Sequence, residues 1–224
     1  GGQNTAVGFR SMEAYTTANK NVAVGDAALQ LNTTGNQNVS IGMRASQYNS
    51  VGSNQVVIGN EAGRYATGSL NTFVGSSAGK GTSSAPYSSG GSNTAVGFSA
   101  LSAFTTGQTN VAVGGYAGAS ITSGQKNVAI GYTAMNNLRD GTDSVAIGYD
   151  AGEYATGSYN TFVGSQAGQG GTTSAPFSSG QYNTAVGRDA FKSFTTGQLN
   201  TVIGYNAGDA ITTANYSTLV GANA

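Results

Sequence analysis

Asn21-Val22-Ala23-Val24-Gly25 and, seventeen residues on, Asn38-Val39-Ser40-Ile41-Gly42 decide how this chain folds. Each is a short β-branched run closed by glycine, and the pattern N-[T/V]-x-[V/I]-G returns along the whole sequence with few departures. Its closing glycines are Gly8, Gly25, Gly42, Gly59, Gly75, Gly97, Gly114, Gly131, Gly148, Gly164, Gly187, Gly204 and Gly221. The steps between them are 17, 17, 17, 16, 22, 17, 17, 17, 16, 23, 17 and 17 residues. A fixed period of this size marks a stacked repeat, in which each unit buries its apolar side against the next. Five units take 89 residues from Gly8 to Gly97 and 90 from Gly97 to Gly187, and Ala66–Gly118 is nearly copied in Ala155–Gly208. A duplication of five coils is the simplest account. One domain over 1–224 is expected, in blocks 1–89, 90–179 and 180–224.

The columns of the repeat carry the physics. Val or Ile always stands one residue before the glycine, and Val or Thr three before it. Both are strand formers. Positions two apart share a face, so these columns are expected to form the inward stripe. The position between them (Ala6, Ala23, Ser40, Val57, Phe73 and on to Leu219) is expected to point the other way, yet it is never charged. A strand apolar on both faces is ordinarily buried on both. A thin coil buries only one, so the second is expected to be covered by another copy of the chain.

Asn stands four before the glycine in ten of thirteen coils. It reads as a turn-forming amide ladder, with a row of sugar or ice contacts as the alternative. Gly or Ala seven before the anchor, usually after Thr as in Thr33-Thr34-Gly35, is a second turn signal. Ala follows three after the anchor, and Gly or a large apolar residue four after. A bulky group around seven after (Tyr15, Leu31, Tyr48, Tyr65, Phe104, Ile121, Leu138, Tyr154, Phe194, Ile211) reads as a second core layer. Together these describe an all-β, parallel β-solenoid of about 13 coils, roughly 60 Å long at ~4.8 Å per strand.

Composition narrows the function. Glycine supplies 36 of 224 residues, more than twice the usual ~7%. Charged residues make up 8%, against a typical ~25%. Lys+Arg and Asp+Glu are both 9, so the net charge is zero. That argues against nucleic acid and anionic membrane as partners, which demand clustered cations. With no histidine and no cysteine, imidazole bases, thiol nucleophiles, disulfides and the common zinc and haem ligand sets are gone. No run of ~18 apolar residues is present, so membrane insertion by this segment is not expected. A start at Gly1 without Met reads as a piece of something longer.

N-T-A-V-G (Asn93–Gly97), N-V-A-V-G (Asn21–Gly25) and S-V-A-I-G (Ser144–Gly148), each followed by x-x-A-[L/G], resemble the head repeats of YadA-like trimeric autotransporter adhesins. They are equally similar to the related repeats of trimeric tail fibres of phages and predatory bacteria. The resemblance covers all thirteen anchors, although the adhesin head repeat is shorter than the seventeen residues found here. It implies a left-handed β-roll in each chain, three rolls side by side in a homotrimer, and adhesion as the role. The expected setting is extracellular, on a cell surface or a virion fibre, with a cell-surface glycan or protein receptor as partner.

Two long coils carry near-identical excursions, Lys80–Gly91 and Gln169–Gln181, each with S-A-P-[Y/F]-S-S-G. Pro86, Tyr87, Pro176 and Phe177 are the candidate ligand contacts, since a rigid scaffold presents contacts on loops and aromatic faces suit sugar rings. The competing reading is that Tyr87 and Phe177 fold back over adjacent coils. Elsewhere, Arg44 with Glu61 and Lys192 with Asp209 are expected to meet one coil apart. No catalytic site, metal site or cofactor motif is found, and no enzyme activity is expected. Asp140 and Asp143 come nearest to a paired carboxylate, in a D-G-T-D turn. A monomeric ice- or surface-binding solenoid, using the Ala column or the Thr-Thr-Gly turns, is the alternative to the fibre.

Overall fold

A computed structural model describes residues 2–84, 86–171 and 178–224. It is an all-β parallel β-solenoid in two compact units, Gly1–Asn110 and Val111–Ala224. The first holds β1 (Thr5–Val7), β2 (Val22–Val24), β3 (Val39–Ile41), β4 (Val56–Ile58), β5 (Thr72–Val74) and β6 (Thr94–Val96). The second holds β7 (Val111–Val113), β8 (Val128–Ile130), β9 (Val145–Ile147), β10 (Thr161–Val163), β11 (Thr184–Val186), β12 (Thr201–Ile203) and β13 (Thr218–Val220). Every strand pairs in parallel with its sequence neighbour inside its unit, column on column, as in Val22↔Val39, Ala23↔Ser40 and Val24↔Ile41.

The facing of the strands is the reverse of the expected one. The middle residue points into the coil: Ala23, Ser40, Val57, Phe73 and Ala95 are fully buried, as are Ala112 to Val202 at the same place in the second unit. The β-branched residues on either side are half-buried or exposed. The reason is volume. The same interior also takes the Ala three after the anchor (Ala28, Ala45, Ala62), the residue four after and the residue seven after. That leaves room for one inward side chain per strand, and the two β-branched columns are displaced outward.

The second core layer also splits. In the inner coils residues seven after the anchor point in, with Phe104, Ile121, Leu138 and Phe194 fully buried, whereas Leu31, Tyr48, Tyr65 and Tyr154, six after it, lie half-buried or exposed. In the end coils Tyr15 and Ile211, seven after, are exposed and half-buried. One residue of register reverses the facing. Where the seventh position is Asn32, its Oδ1 accepts from the Gly35 N–H and its Nδ2 donates to the Gly35 carbonyl, both at 2.9 Å.

In six coils the strand residue and the residue four after the anchor complement each other in volume, whereas Ala112 and Ala146 face Gly118 and Gly152, where Ile121 and Phe162 reach in instead. Ala23, Ala95, Ala129 and Ala185 share their coils with Leu29, Leu101, Met135 and Phe191, four after the anchor and all buried. Phe73 and Phe162 share theirs with Gly79 and Gly168. A Cβ on Gly79 would stand 2.4 Å from the Phe73 ring, and one on Gly168 2.3 Å from Phe162.

The chain turns by left-handed residues. Among the described residues, thirty-two non-glycine residues have φ near +50 to +64°, at five before, two after and four after the anchor. Each such conformation costs ~1–2 kcal/mol. Hydrogen bonds to a neighbouring coil offset it: the N–H of Ala27 donates to Phe9 O and that of Arg44 to Asp26 O, both at 2.8 Å. The anchor glycine has φ of +126 to +141°, and a Cβ on Gly25 would lie 2.6 Å from the Gly42 carbonyl oxygen. No side chain fits there. The Asn column is buried and structural. Asn38 N–H donates to Asn21 Oδ1 at 2.9 Å, and Asn38 Nδ2 donates to the Gly52 carbonyl at 2.9 Å, tying strand start to turn.

Phe73→Ala is expected to destabilise by about 3–5 kcal/mol and Gly79→Ala by about 1–3 kcal/mol through overpacking. The double variant Phe73→Ala/Gly79→Leu, which recreates the Ala23/Leu29 pairing, is expected to recover most of the loss in denaturant unfolding. The hydroxyls of Ser40 and Ser46 are buried with no hydrogen-bond partner. Ser40→Ala is therefore expected to raise stability by about 1 kcal/mol, read as an increase in Tm.

Candidate functional site

Two surfaces follow from this geometry. The first is the outward face of the strands. In the first unit Val7, Ile41, Val56, Ile58 and Val96 are exposed, with Phe9 (71% exposed), Met43 and Phe98 beside them one after the anchor. In the second unit Ile147 and Ile203 are flanked by exposed Tyr132, Tyr149 and Tyr205 on one side, and by Tyr159, Tyr182, Leu199 and Tyr216 on the other. The rings form ladders: Tyr159 and Tyr182 are parallel at 4.8 Å, Tyr132 and Tyr149 at 5.9 Å. Exposed Val, Ile and aromatic side chains thus recur along this face within each unit.

The second surface lies on the return run of the first unit, across the core from the strands. A Cβ on Gly63 of that run would meet Phe73 and Val57 at 3.1 and 3.2 Å, which places the run over the inward column. Tyr48 and Tyr65, six after successive anchors, stack at 5.0 Å. Tyr87, from the excursion, lies against both, at 5.2 Å from Tyr48 and 5.8 Å from Tyr65. Ser88 fixes it there. Its N–H donates to Tyr65 O at 3.0 Å, its hydroxyl donates to Phe104 O at 2.6 Å, and Thr82 N–H donates to the same hydroxyl at 3.0 Å. The Arg64 guanidinium lies 4.9 Å from the Tyr65 ring centre and 5.8 Å from that of Tyr48.

Glu61 is the electrostatic centre of this region. Its carboxylate meets Arg64 at 2.7 Å, Lys80 at 2.7 Å and Arg44 at 3.3 Å. The hydrogen bond from Lys80 holds the Glu61 carboxyl below its ordinary range, against the opposing effect of burial, with the Lys80 and Arg64 charges and Arg44 adding. Side-chain hydrogen bonds continue down the stack from Arg64 to Gln47, Gln30 and Glu13.

Of the residues singled out by sequence, Tyr87 is half-buried in the tyrosine cluster, as the folded-back reading has it, and Pro86 is exposed beside it. Pro176 and Phe177 lie outside the described residues. Tyr48 and Tyr65 are hidden from sequence reading because positions six and seven after the anchor read as a single core layer. Arg44 and Glu61 meet as expected. Lys192 instead bonds Asp189, three residues earlier, at 2.9 Å. Asp140 Oδ1 accepts from the hydroxyls of Ser123 at 2.5 Å and Thr122 at 2.9 Å. Those bonds, Ser123 first, hold its carboxyl below the ordinary range, opposite to what a general acid requires. Among the described residues there is no group of three metal-ligating side chains, and no helix long and apolar enough to cross a membrane. No family model, curated protein or solved structure matches the chain.

Because the folded state lowers the Glu61 pKa, its contribution to stability is complete above the unfolded value, near 4.5, and is lost as pH falls through the folded one. Thermal stability is therefore expected to fall as the pH drops below about 4.5. Glu61→Gln is expected to cost about 1 kcal/mol at pH 7 and to flatten that part of the profile. An unchanged profile in the variant removes Glu61 from the account.

Proposed function

We propose that the chain is a non-catalytic structural and adhesive segment of a homotrimeric extracellular fibre, on a cell surface or a virion, with a surface glycan or protein receptor as its ligand. The observation that carries this reading is the outward β-branched face with its flanking aromatic ladders. A narrow coil cannot turn these residues inward, and burial of Val, Ile and Tyr side chains is worth about 1.5–3 kcal/mol each for the aliphatic ones. Three chains meeting face to face would remove that surface from water, in line with the head-repeat resemblance. Such association would leave the opposite, return-run surface open for a ligand.

One observation favours the monomeric alternative. Thr161, Thr184, Thr201 and Thr218 stack in register as a regular column of the same face, and such an array suits ice or another flat surface.

Native mass separates the two. A particle of about 67 kDa, three times the 22.3 kDa chain, is expected for the fibre segment. Ile41→Lys combined with Ile58→Lys is expected to release monomers that keep their β-sheet signal. A 22.3 kDa wild-type particle with thermal hysteresis would overturn the trimer in favour of the monomeric reading.

A further inference from the structure

The five-coil duplication supplies an internal comparison for the tyrosine and cation cluster. In the first copy Arg44, Arg64 and Lys80 surround Glu61, a formal surplus of two positive charges. The same positions of the second copy hold Thr133, Glu153, Gln169 and Asp150, a surplus of two negative charges. Tyr65 is kept there as Tyr154, while Tyr48 is replaced by Asn137. The second copy is satisfied within itself: Thr133 donates to Asp150, and Gln169 Nε2 donates to Glu153 Oε2 at 2.9 Å. Scaffold and excursion are therefore retained while the charge of this one patch is reversed. Stacking of coils does not demand cations here, since the second copy folds the same way without them.

What the first copy holds in place is specific. Three tyrosine rings are locked against one another, and Tyr87 is pinned by Ser88. Two cations at the rim keep part of their surface: the side chain of Arg44 is 43% exposed and that of Lys80 34%. Both share a single carboxylate with a third cation, so the cluster keeps a formal surplus of two positive charges. Preorganised rings beside a net-positive rim suit a ligand with an apolar ring face and an anionic group on the same ring. A pyranose carrying a carboxylate has both, with axial C–H groups on one face and the carboxylate at its edge.

We propose that Tyr87, Tyr65, Tyr48, Arg44 and Lys80 form a binding site for acidic saccharides, the rings stacking on the sugar face and the two cations pairing its carboxylate. This deepens the adhesive reading and rests on it.

The test titrates the full chain with hexagalacturonate, with its methyl ester and with polyglutamate, by calorimetry. Hexagalacturonate is expected to bind, and the other two to bind at least about ten-fold more weakly, since the ester lacks the charge and polyglutamate the ring. Lys80→Gln and Tyr87→Ala are each expected to weaken hexagalacturonate by about ten-fold, while Tyr87→Phe stays within about two-fold. Circular dichroism checks that each variant is folded. Equal binding of the ester or of polyglutamate, no binding of hexagalacturonate, or a folded Lys80→Gln chain with undiminished affinity overturns the site. Adherence of the wild-type chain to cells is measured alongside. Adherence without hexagalacturonate binding removes this site and leaves the adhesive reading standing, whereas absence of both removes the two together.

Discussion

The interior of each coil has room for one side chain from its strand, and the rest of the molecule is arranged around that limit. A coil of seventeen residues closes too tightly to take the β-branched pair inward, so the pair faces out and the small middle residue fills the centre. Volume lost at the strand is made up by a neighbouring position, four residues after the anchor where Leu29 serves Ala23, and by Ile121 where Ala112 faces Gly118. Where Phe73 and Phe162 occupy the strand position, Gly79 and Gly168 stand opposite. Both phenylalanine coils are followed by a long excursion, and both rings lie 5.5 Å from the next inward ring, Phe104 or Phe194. The bulky plug and the long loop therefore travel together in each copy of the duplication.

Left-handed residues are the second consequence of tight closure. Their cost is met by hydrogen bonds between coils rather than within one, so no coil is stable alone and each is a condition for its neighbours. The Asn column acts in the same way. An amide whose Oδ1 accepts from the strand-start N–H of the following coil and whose Nδ2 donates to that coil's turn carbonyl, as Asn21 does with Asn38 and Gly35, is a buried structural group and is unavailable to a ligand. The surfaces open to partners are the ones closure pushes outward: the β-branched strand face, its aromatic borders, and the return run with its tyrosine and cation cluster.

The duplication shows which of these surfaces is free to change. The anchor glycines, the Phe73 and Phe162 plugs with Gly79 and Gly168 opposite, and the Ser88 and Ser178 pins recur in both copies, because each is bound into the stack. The charges on the return run do not recur: the Glu61 cluster, which bonds the coils on either side through Arg44 and Lys80, is replaced in the second copy by Thr133–Asp150 and Gln169–Glu153 pairs. A surface that diverges while its scaffold stays constant is where function is written in a repeat protein.

Periodicity alone determined the architecture: the glycine spacing and the β-branched columns repeat thirteen times and the Asn column ten, so the parallel stack and its turns were legible in the chain. The meeting of Arg44 with Glu61 was legible too, because stacking turns a seventeen-residue interval into a neighbour contact. Facing was not. Alternation along a three-residue strand says that Val22 and Val24 lie opposite Ala23, but only the filled interior, with Ala28 and Leu29 already in it, decides which side is inside. Likewise Tyr48 and Phe104 differ by one position in the repeat, and closure of the coil sends the first to the surface and the second to the core. The tyrosine cluster joins residues from two coils and an excursion, a juxtaposition that no interval in the sequence encodes and that packing across the stack alone creates.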